Sequence, residues 1–183
     1  MPETIVIEPL TPESLADAVA ACRHCLYWES PSRFRPEASG REQVEGMLLK
    51  RRWLDRHAKG EAGGLTALLE GKSCGHLFYV RGSAANDLLP RLREYALGPR
   101  VAADALFLTC LYVPREAQGK GISRALLAKA EQVARELGLA ALETIARRGS
   151  ADNPSGPLEF YLKHGFAIEA ETPEFPLVRK SLS

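Results

Sequence analysis

The hydrophobic pattern is clearest in the second half of the chain. Residues 105–113 form a nearly unbroken apolar run, which is typical of a central strand covered on both faces. Apolar residues then recur at helical spacing from Ile122 to Leu137, and Gly138 is placed to end that helix. Residues 139–145 follow as a second apolar run. The pattern predicts a strand, a turn, a helix and a further strand in succession.

The end of the chain continues this alternation. Asn153 and Pro154 indicate the start of another helix, which Gly165 would end. Residues 166–168 and 177–182 are predicted to follow as strands.

The first half of the chain is less regular. Residues 4–8 predict a strand, and Thr11 can cap a helix that runs to about Cys25. Residues 27–36 combine prolines with aromatic side chains, which favours a loop over a site. The remaining predictions are a helix over 41–58, a hairpin with strands over 65–69 and 76–80, and a polar excursion over 84–100.

Composition narrows the class of protein. The 183 residues are 45% hydrophobic and 26% charged, as in ordinary globular proteins. With 24 Lys and Arg against 23 Asp and Glu, the net charge of +1 gives no reason to expect nucleic acid or an anionic membrane as a partner. The N-terminus lacks the basic and apolar regions of a secretory signal, so the cytoplasm is the expected location.

A glycine-containing turn, residues 113–124, separates the predicted strand from the predicted helix. Gly119 and Gly121 allow the backbone to approach a ligand closely. The free N–H groups of a helix's first turn favour an anion such as pyrophosphate, and Lys120 and Arg124 add positive charge. Glycines also serve such turns for geometry alone, so the turn needs further support.

Two other phosphate-binding motifs fit this turn less well. A P-loop requires Gly-Lys followed by Ser or Thr, whereas Gly119-Lys120 is followed by Gly121, which excludes that motif. A dinucleotide fingerprint would use Glu143 for the ribose but needs a small residue where Arg124 stands. It is retained as a minor alternative.

The turn and a second motif downstream together resemble the GNAT superfamily of acyl-CoA N-acyltransferases. The residues that carry the resemblance are Gln118, Gly121 and Ser123 in the turn, and Asn153, Tyr161, Gly165 and Phe166 downstream. Ser123 departs from the family's usual Gly or Ala. The resemblance implies a single N-acetyltransferase domain over residues 1–183, with an α/β (α+β) fold in which helices flank a mixed, mostly antiparallel sheet.

The resemblance also implies roles for these residues. The backbone at Leu111 and Val113 would bind the pantetheine arm of acetyl-CoA, and Asn153 would contact the same co-substrate. The residues implied for the pyrophosphate are Gln118, Gly119, Lys120, Gly121, Ile122 and Ser123. The reaction implied is direct acetyl transfer to a primary amine of a small molecule or peptide, and relatives are commonly homodimers. A non-catalytic acyl-CoA-binding regulatory module remains the alternative.

Acetyl transfer to an amine needs a proton donor for the departing sulfur and a group that favours the neutral amine. The resemblance implies Tyr161 as the donor, although core packing is a competing interpretation. Glu29, in the aromatic loop, and Glu143, on the strand after the helix, are both candidates for the base. The loop between the first two helices faces the acceptor in this family, which implies that Tyr27, Trp28 and Phe34 line its pocket, with anchoring of the loop in the core as the alternative.

The spacing of Cys22 and Cys25 matches zinc sites and redox pairs. A second pair of ligands is missing from the sequence nearby, although His57 or Cys74 would complete a site if the fold brought them close. Reduced, buried thiols are the favoured interpretation, and no metal is expected.

Overall fold

A computed structural model describes residues 4–58, 60–95 and 101–182. Within them lie seven strands: β1 (Ile5–Leu10), β2 (Ala62–Leu69), β3 (Lys72–Arg81), β4 (Ala105–Tyr112), β5 (Ala141–Ile145), β6 (Ala167–Ala170) and β7 (Leu177–Ser181). They form one sheet in the order β1-β2-β3-β4-β5-β7-β6. The pair β4 and β5 is parallel and the other neighbours are antiparallel, which confirms the predicted fold class.

Helices cover both faces of this sheet. They are α1 (Ala20–Arg23), α2 (Arg41–His57), α3 (Gly82–Leu88), α4 (Ile122–Glu136) and α5 (Leu158–Lys163). The core on one face collects apolar residues from α1, α2 and α3, and the core on the other collects those from α4 and α5. Strand β4 supplies Phe107 to the core beneath α1, α2 and α3, and Leu106 to the core beneath α4 and α5. This is expected for a central strand with two buried faces.

The hairpin of β2 and β3 is longer than predicted. Glu70 and Gly71 form its two-residue turn with positive φ values of 51° and 76°, a conformation that matches the twist of the flanking strands. Glycine is disfavoured inside strands, yet Gly63 lies in β2. It lies opposite Tyr79 on β3, whose ring fills the space that a Cβ would need. The close approach of the Tyr79 ring explains why glycine stands at this position of the strand.

The predicted first helix is interrupted. Thr11 does cap a turn, since its Oγ1 accepts a hydrogen bond from the Ser14 N–H, but the helical turn ends at Asp17 and α1 begins only at Ala20. The Val19 N–H donates instead to the Nε2 atom of His76 on β3, at 2.8 Å. A tertiary contact therefore overrides the local preference for a continuous helix.

The last predicted helix also differs from the sequence expectation. Helix α5 begins at Leu158, not at Asn153 or Pro154. Gly156 has φ +111°, which is incompatible with a helix, and Pro157 occupies the N-cap position. The segment from Asn153 to Pro157 therefore lies outside the helix, where it can line a site.

The remaining elements agree with the patterns in broad outline. Residues 41–58 contain α2, and part of the polar excursion over 84–100 folds as α3 and a 3₁₀ turn, Pro90–Glu94, while residues 96–100 lie outside the described residues. Over the described ranges, no helix has the length and apolarity needed to cross a membrane.

Candidate active site

Strands β4 and β5 separate soon after they begin. Residues 105–107 are paired with residues 141–143, and the rest of β4 runs on without a ladder partner on β5. Because both strands are central in the sheet, the separation opens a gap in the middle of the molecule.

The loop between β5 and α5 enters this gap. The Leu111 N–H on β4 donates a hydrogen bond of 2.9 Å to the carbonyl oxygen of Pro154. The Ser155 hydroxyl donates to the carbonyl oxygen of Thr109, also on β4, at 3.2 Å. The loop therefore satisfies backbone groups that β5 leaves unpaired.

Asn153 fixes the conformation of that loop. Its Nδ2 donates to the carbonyl oxygen of Ile145 at 2.9 Å, and its Oδ1 accepts from the Ser155 N–H at 3.1 Å. The side chain is buried yet also lines the groove described below.

The predicted turn after β4 has the geometry of an anion site. Gly119 and Gly121 adopt φ values of +80° and +84°, and a Cβ at either position would have nothing within 4 Å. These glycines are needed for backbone conformation, not for space. Gly121 is the N-cap of α4 and its carbonyl accepts the N–H of Ala125, so the N–H groups of residues 122–124 have no partner within the helix.

Basic side chains surround this turn. A cavity of about 600 Å³ beside it is lined by Lys120, Arg124, Lys163 and His164, and no carboxylate of the described residues lines it. Lys163 and His164 come from the end of α5, which the fold brings to the turn. Together with the helix dipole, they make the cavity attractive to an anion.

A longer groove, with a volume of about 860 Å³, continues from this cavity. The two share Val113, Gln118, Ser123 and Phe160, so a single extended ligand can occupy both. The far part of the groove is lined by Tyr27, Phe34 and Arg35 from the aromatic loop.

The structure brings the sequence-predicted binding residues together. Leu111, Val113, Gln118, Ser123 and Asn153 line the groove, and Gly119, Lys120, Gly121 and Ile122 line the adjoining cavity. Two backbone groups predicted for pantetheine already have partners, because Leu111 donates to Pro154 and the Val113 carbonyl accepts from Gln118 Nε2 at 3.1 Å.

Tyr161 is fully buried behind the loop. Its hydroxyl donates a hydrogen bond to the carbonyl oxygen of Ser155. Burial raises the pKa of this phenol, so it stays protonated at neutral pH. A Cβ placed on Gly156, which lines the groove, would lie 3.7 Å from this hydroxyl. One loop residue thus separates Tyr161 from the groove.

Glu29 does not face the groove as a free carboxylate. Its side chain is 4% exposed and forms an ion pair with Lys50, whose side chain is 1% exposed. The Lys50 ammonium also lies 4.3 Å from the centre of the Phe78 ring. Burial lowers the pKa of Lys50, but the carboxylate of Glu29 offsets this and raises it overall.

Glu143 is held on the far side of the β4–β5 pair. One carboxylate oxygen accepts a hydrogen bond from Arg179 at 2.7 Å, and the other accepts from the Ala102 N–H at 2.9 Å. The residue is 1% exposed and does not line the groove. Its position on β5 is as predicted, and its contacts are those of a buried structural carboxylate.

The cysteines are free thiols. Burial raises the pKa of Cys22 to about 12, which disfavours the thiolate that redox and metal chemistry need. Within the described part of the chain, no group of three or more His, Cys, Asp or Glu side chains is placed to hold a metal ion.

The sequence missed several residues that line these cavities. His24 and Arg35 line the groove, and the basic residues at the end of α5 line the anion cavity. Arg147 also lines the groove, and its place after a strand indicates a candidate clamp for an acidic substrate or a CoA phosphate. Arg35 belongs to the predicted loop over the site, where the lack of periodicity gives no direction for a side chain, and His24 lies at the end of the predicted first helix, which the structure interrupts. Lys163 and His164 precede Gly165 in the downstream motif, and that adjacency was the available signal.

A site with an anion-binding turn at one end and a long groove at the other is that of a protein that holds an extended phosphorylated ligand. The model of the acetyltransferase (GNAT) family matches residues 24–166, most of the chain. The chain therefore belongs to the GNAT acetyltransferase family, as the resemblance in its sequence predicted.

Solved structures agree with this assignment at the level of the fold. The PaiA N-acetyltransferase of Thermoplasma acidophilum, solved with coenzyme A, is 18% identical with a TM-score of 0.62, over 97% of this chain and 99% of that one. YhbS of Escherichia coli, also with CoA, is 16% identical with a TM-score of 0.58, over 99% and 83%. The ribosomal-protein-S18-alanine N-acetyltransferase of Escherichia coli is 14% identical with a TM-score of 0.56, over 98% and 95%. No curated protein matches the chain.

Proposed function

We propose that this chain transfers an acetyl group from acetyl-CoA directly to a primary amine of a small molecule or peptide. The observation that carries the proposal is the continuity of the basic cavity at the glycine turn with the groove along the end of β4. The structures of PaiA and YhbS, both solved with CoA, support the choice of ligand.

Each part of acetyl-CoA has a matching surface. The diphosphate binds the N–H groups at the start of α4, where Lys120 and Arg124 offset its charge. The pantetheine arm lies in the groove beside Leu111 and Val113, and the thioester points towards the aromatic loop at Tyr27. The groove has the volume of an ordinary cofactor site.

The chemistry follows from this placement. The nitrogen lone pair of a neutral amine attacks the thioester carbonyl carbon, the C–S bond breaks, and the nitrogen loses its proton as the amide forms. The departing thiolate takes a proton from the Tyr161 hydroxyl, which is protonated at neutral pH because burial raises its pKa, and the phenolate regains a proton from solvent once CoA has left. This step requires the hydroxyl to leave the Ser155 carbonyl.

Three residues are candidates for the base that accepts the proton from the amine. Glu29 and Glu143 are the candidates from the sequence, but each is held in an ion pair. His24 lines the groove, and burial lowers its pKa below the ordinary value, so it is neutral at pH 7 and able to accept a proton. We favour His24, which predicts that His24→Gln flattens the acid limb of the pH profile of kcat/KM, while Glu143→Gln leaves that limb in place.

Calorimetry with acetyl-CoA and with acetyl-pantetheine tests the binding mode. Acetyl-CoA should release heat on binding, and acetyl-pantetheine, which lacks the diphosphate, should bind at least tenfold more weakly. Release of free CoA thiol upon addition of amines then tests transfer. A folded protein that binds neither CoA nor acetyl-CoA would contradict the proposal.

A further inference from the structure

A second cavity, of about 570 Å³, adjoins the groove. Its lining includes Tyr27, Arg91, Tyr95, Glu174 and Phe175, and of these Tyr27 also lines the groove. The proposed transfer reaction gives this cavity no role. It is large enough for a small molecule and is separated from the thioester end of the groove by one side chain.

The side chains of Tyr27 and Tyr95 lie between this cavity and the groove, with their hydroxyl groups in contact. The oxygens of Tyr27 and Tyr95 are 2.6 Å apart, within hydrogen-bonding distance. The Tyr95 hydroxyl also interacts with the side chain of Asn153, which lines the groove. This tyrosine pair thus lies at the boundary where an acceptor would meet the acyl group.

Aromatic rings hold this tyrosine pair in place. Trp28 stacks on Tyr95 with ring centres 5.5 Å apart, and Phe175 meets Tyr95 edge-on at 5.2 Å. Phe34 contacts Tyr27 in the same edge-on manner at 5.3 Å. Of these packed rings, Tyr27, Tyr95 and Phe175 line the cavity and give it an aromatic surface that suits an aromatic ligand.

The charged residues that line this cavity favour a cationic ligand. The guanidinium of Arg91 lies 4.4 Å from the centre of the Tyr27 ring and donates a hydrogen bond of 2.6 Å to Glu94, so its charge is balanced. Glu174 is exposed at the mouth of the cavity and has no ion-pair partner among the described residues. A carboxylate at the mouth attracts a protonated amine and repels an acidic ligand.

From these contacts we infer that the cavity is the acceptor pocket and that it takes a small primary amine joined to an aromatic ring by a short aliphatic chain. The inference rests on the proposed function. The ring of the acceptor packs against Phe175 and Tyr95, and its amine donates a hydrogen bond to the tyrosine pair, where it faces the thioester. A polyamine would need several free carboxylates. Of the two that line the cavity, Glu94 is paired with Arg91, which leaves Glu174.

The test uses 2-phenylethylamine as the probe. The protein is first titrated with CoA, and the CoA complex is then titrated with 2-phenylethylamine, spermidine or L-glutamate in the calorimeter. We expect 2-phenylethylamine to bind at least tenfold more tightly than either of the others. Phe175→Ala should weaken its binding at least tenfold and Glu174→Gln three- to fivefold, with the Kd for CoA unchanged within twofold.

A matched control separates the pocket from general charge effects. Glu8→Gln, on the edge strand β1 and absent from the cavity, should change amine binding by less than twofold. Glu174→Gln alters an exposed side chain, so it reports on the pocket even if Phe175→Ala fails to fold. If the CoA complex does not bind 2-phenylethylamine, binds spermidine more tightly, or is insensitive to both variants, the inference is wrong and the proposed function stands. If CoA itself does not bind, both are wrong.

Discussion

The backbone N–H of Leu111 donates its hydrogen bond to the carbonyl oxygen of Pro154, across the gap between β4 and β5. In the proposed complex the pantetheine arm needs this N–H, so a ligand carbonyl must replace that of Pro154. The same loop holds the Tyr161 hydroxyl through the carbonyl of Ser155. Displacement of the loop would therefore couple cofactor binding to the release of the proton donor.

Substitution of Tyr161 by Phe tests that coupling. We expect kcat to fall about 100-fold, because the thiolate then leaves without a proton donor, while the Kd for acetyl-CoA does not rise, because the bond to Ser155 that binding has to break is already absent. Tyr79→Phe, on β3 and outside the groove, is the matched control and should leave kcat unchanged. A protein that only binds acyl-CoA would show no turnover to lose, and an unchanged kcat in Tyr161→Phe would contradict the assignment.

The glycine turn offers a comparison within one helix. Gly121 at the start of α4 and Gly138 just after its end have φ values of +84° and +70°, and a Cβ at either would have nothing within 4 Å. Each Gly→Ala substitution should therefore cost about 1 kcal/mol of unfolding free energy from backbone strain. Only Gly121→Ala should also weaken CoA binding, by about tenfold, since it tilts the N–H groups at the diphosphate. Equal CoA affinities in the two variants, measured by calorimetry, would argue against the anion site.

The sequence predicted the site best where local geometry determines the contact. Gly119 and Gly121 lie between a buried strand and an amphipathic helix, and their place beside the anion cavity follows from that order. The sequence could not report the contacts of Glu29, because its partner Lys50 is 21 residues away on a helix whose polar pattern suggests exposure. The sequence did not predict the contact between Phe175 and Tyr95 for a related reason. Both residues lie in segments without periodicity, and they meet only in the folded chain.

The fold was predictable to the level of its sheet, and the errors lie at element ends. Helix α5 starts late because Gly156 and Pro157 stop it, a feature that was visible in the sequence but outweighed there by Asn153 and Pro154. The break before α1 was not visible, since it depends on a hydrogen bond from Val19 to a histidine 57 residues later.

Removal of one partner from the buried ion pair of Lys50 and Glu29 should be strongly destabilising. Lys50→Met leaves the Glu29 carboxylate uncompensated in a site where it is 4% exposed, which we expect to cost about 3–5 kcal/mol of unfolding free energy. The double variant Lys50→Met with Glu29→Gln should recover much of that loss, because it removes both charges. Urea unfolding of the wild type, both single variants and the double variant measures the coupling. Additive losses would show that the pair does not interact as its geometry indicates.

His76 should make stability depend on pH. The imidazole is fully buried, its Nε2 accepts the Val19 N–H and lies 2.9 Å from the Ser73 hydroxyl, and burial lowers its pKa to about 4 from an ordinary value near 6.5. Between these two values the unfolded chain binds a proton that the folded chain does not. The free energy of unfolding should therefore fall as the pH drops from about 6.5 towards 4, by at most about 3 kcal/mol at about 1.4 kcal/mol per pKa unit.

His76→Gln isolates this effect, because the amide oxygen can still accept the Val19 N–H but does not titrate. The variant should lose some stability at pH 7 through imperfect packing, yet its free energy of unfolding should decline less steeply between pH 6.5 and 4.5 than that of the wild type. Urea unfolding at matched pH values measures both slopes. Parallel slopes would mean that His76 is not the group whose protonation opens the contact between β3 and the segment before α1.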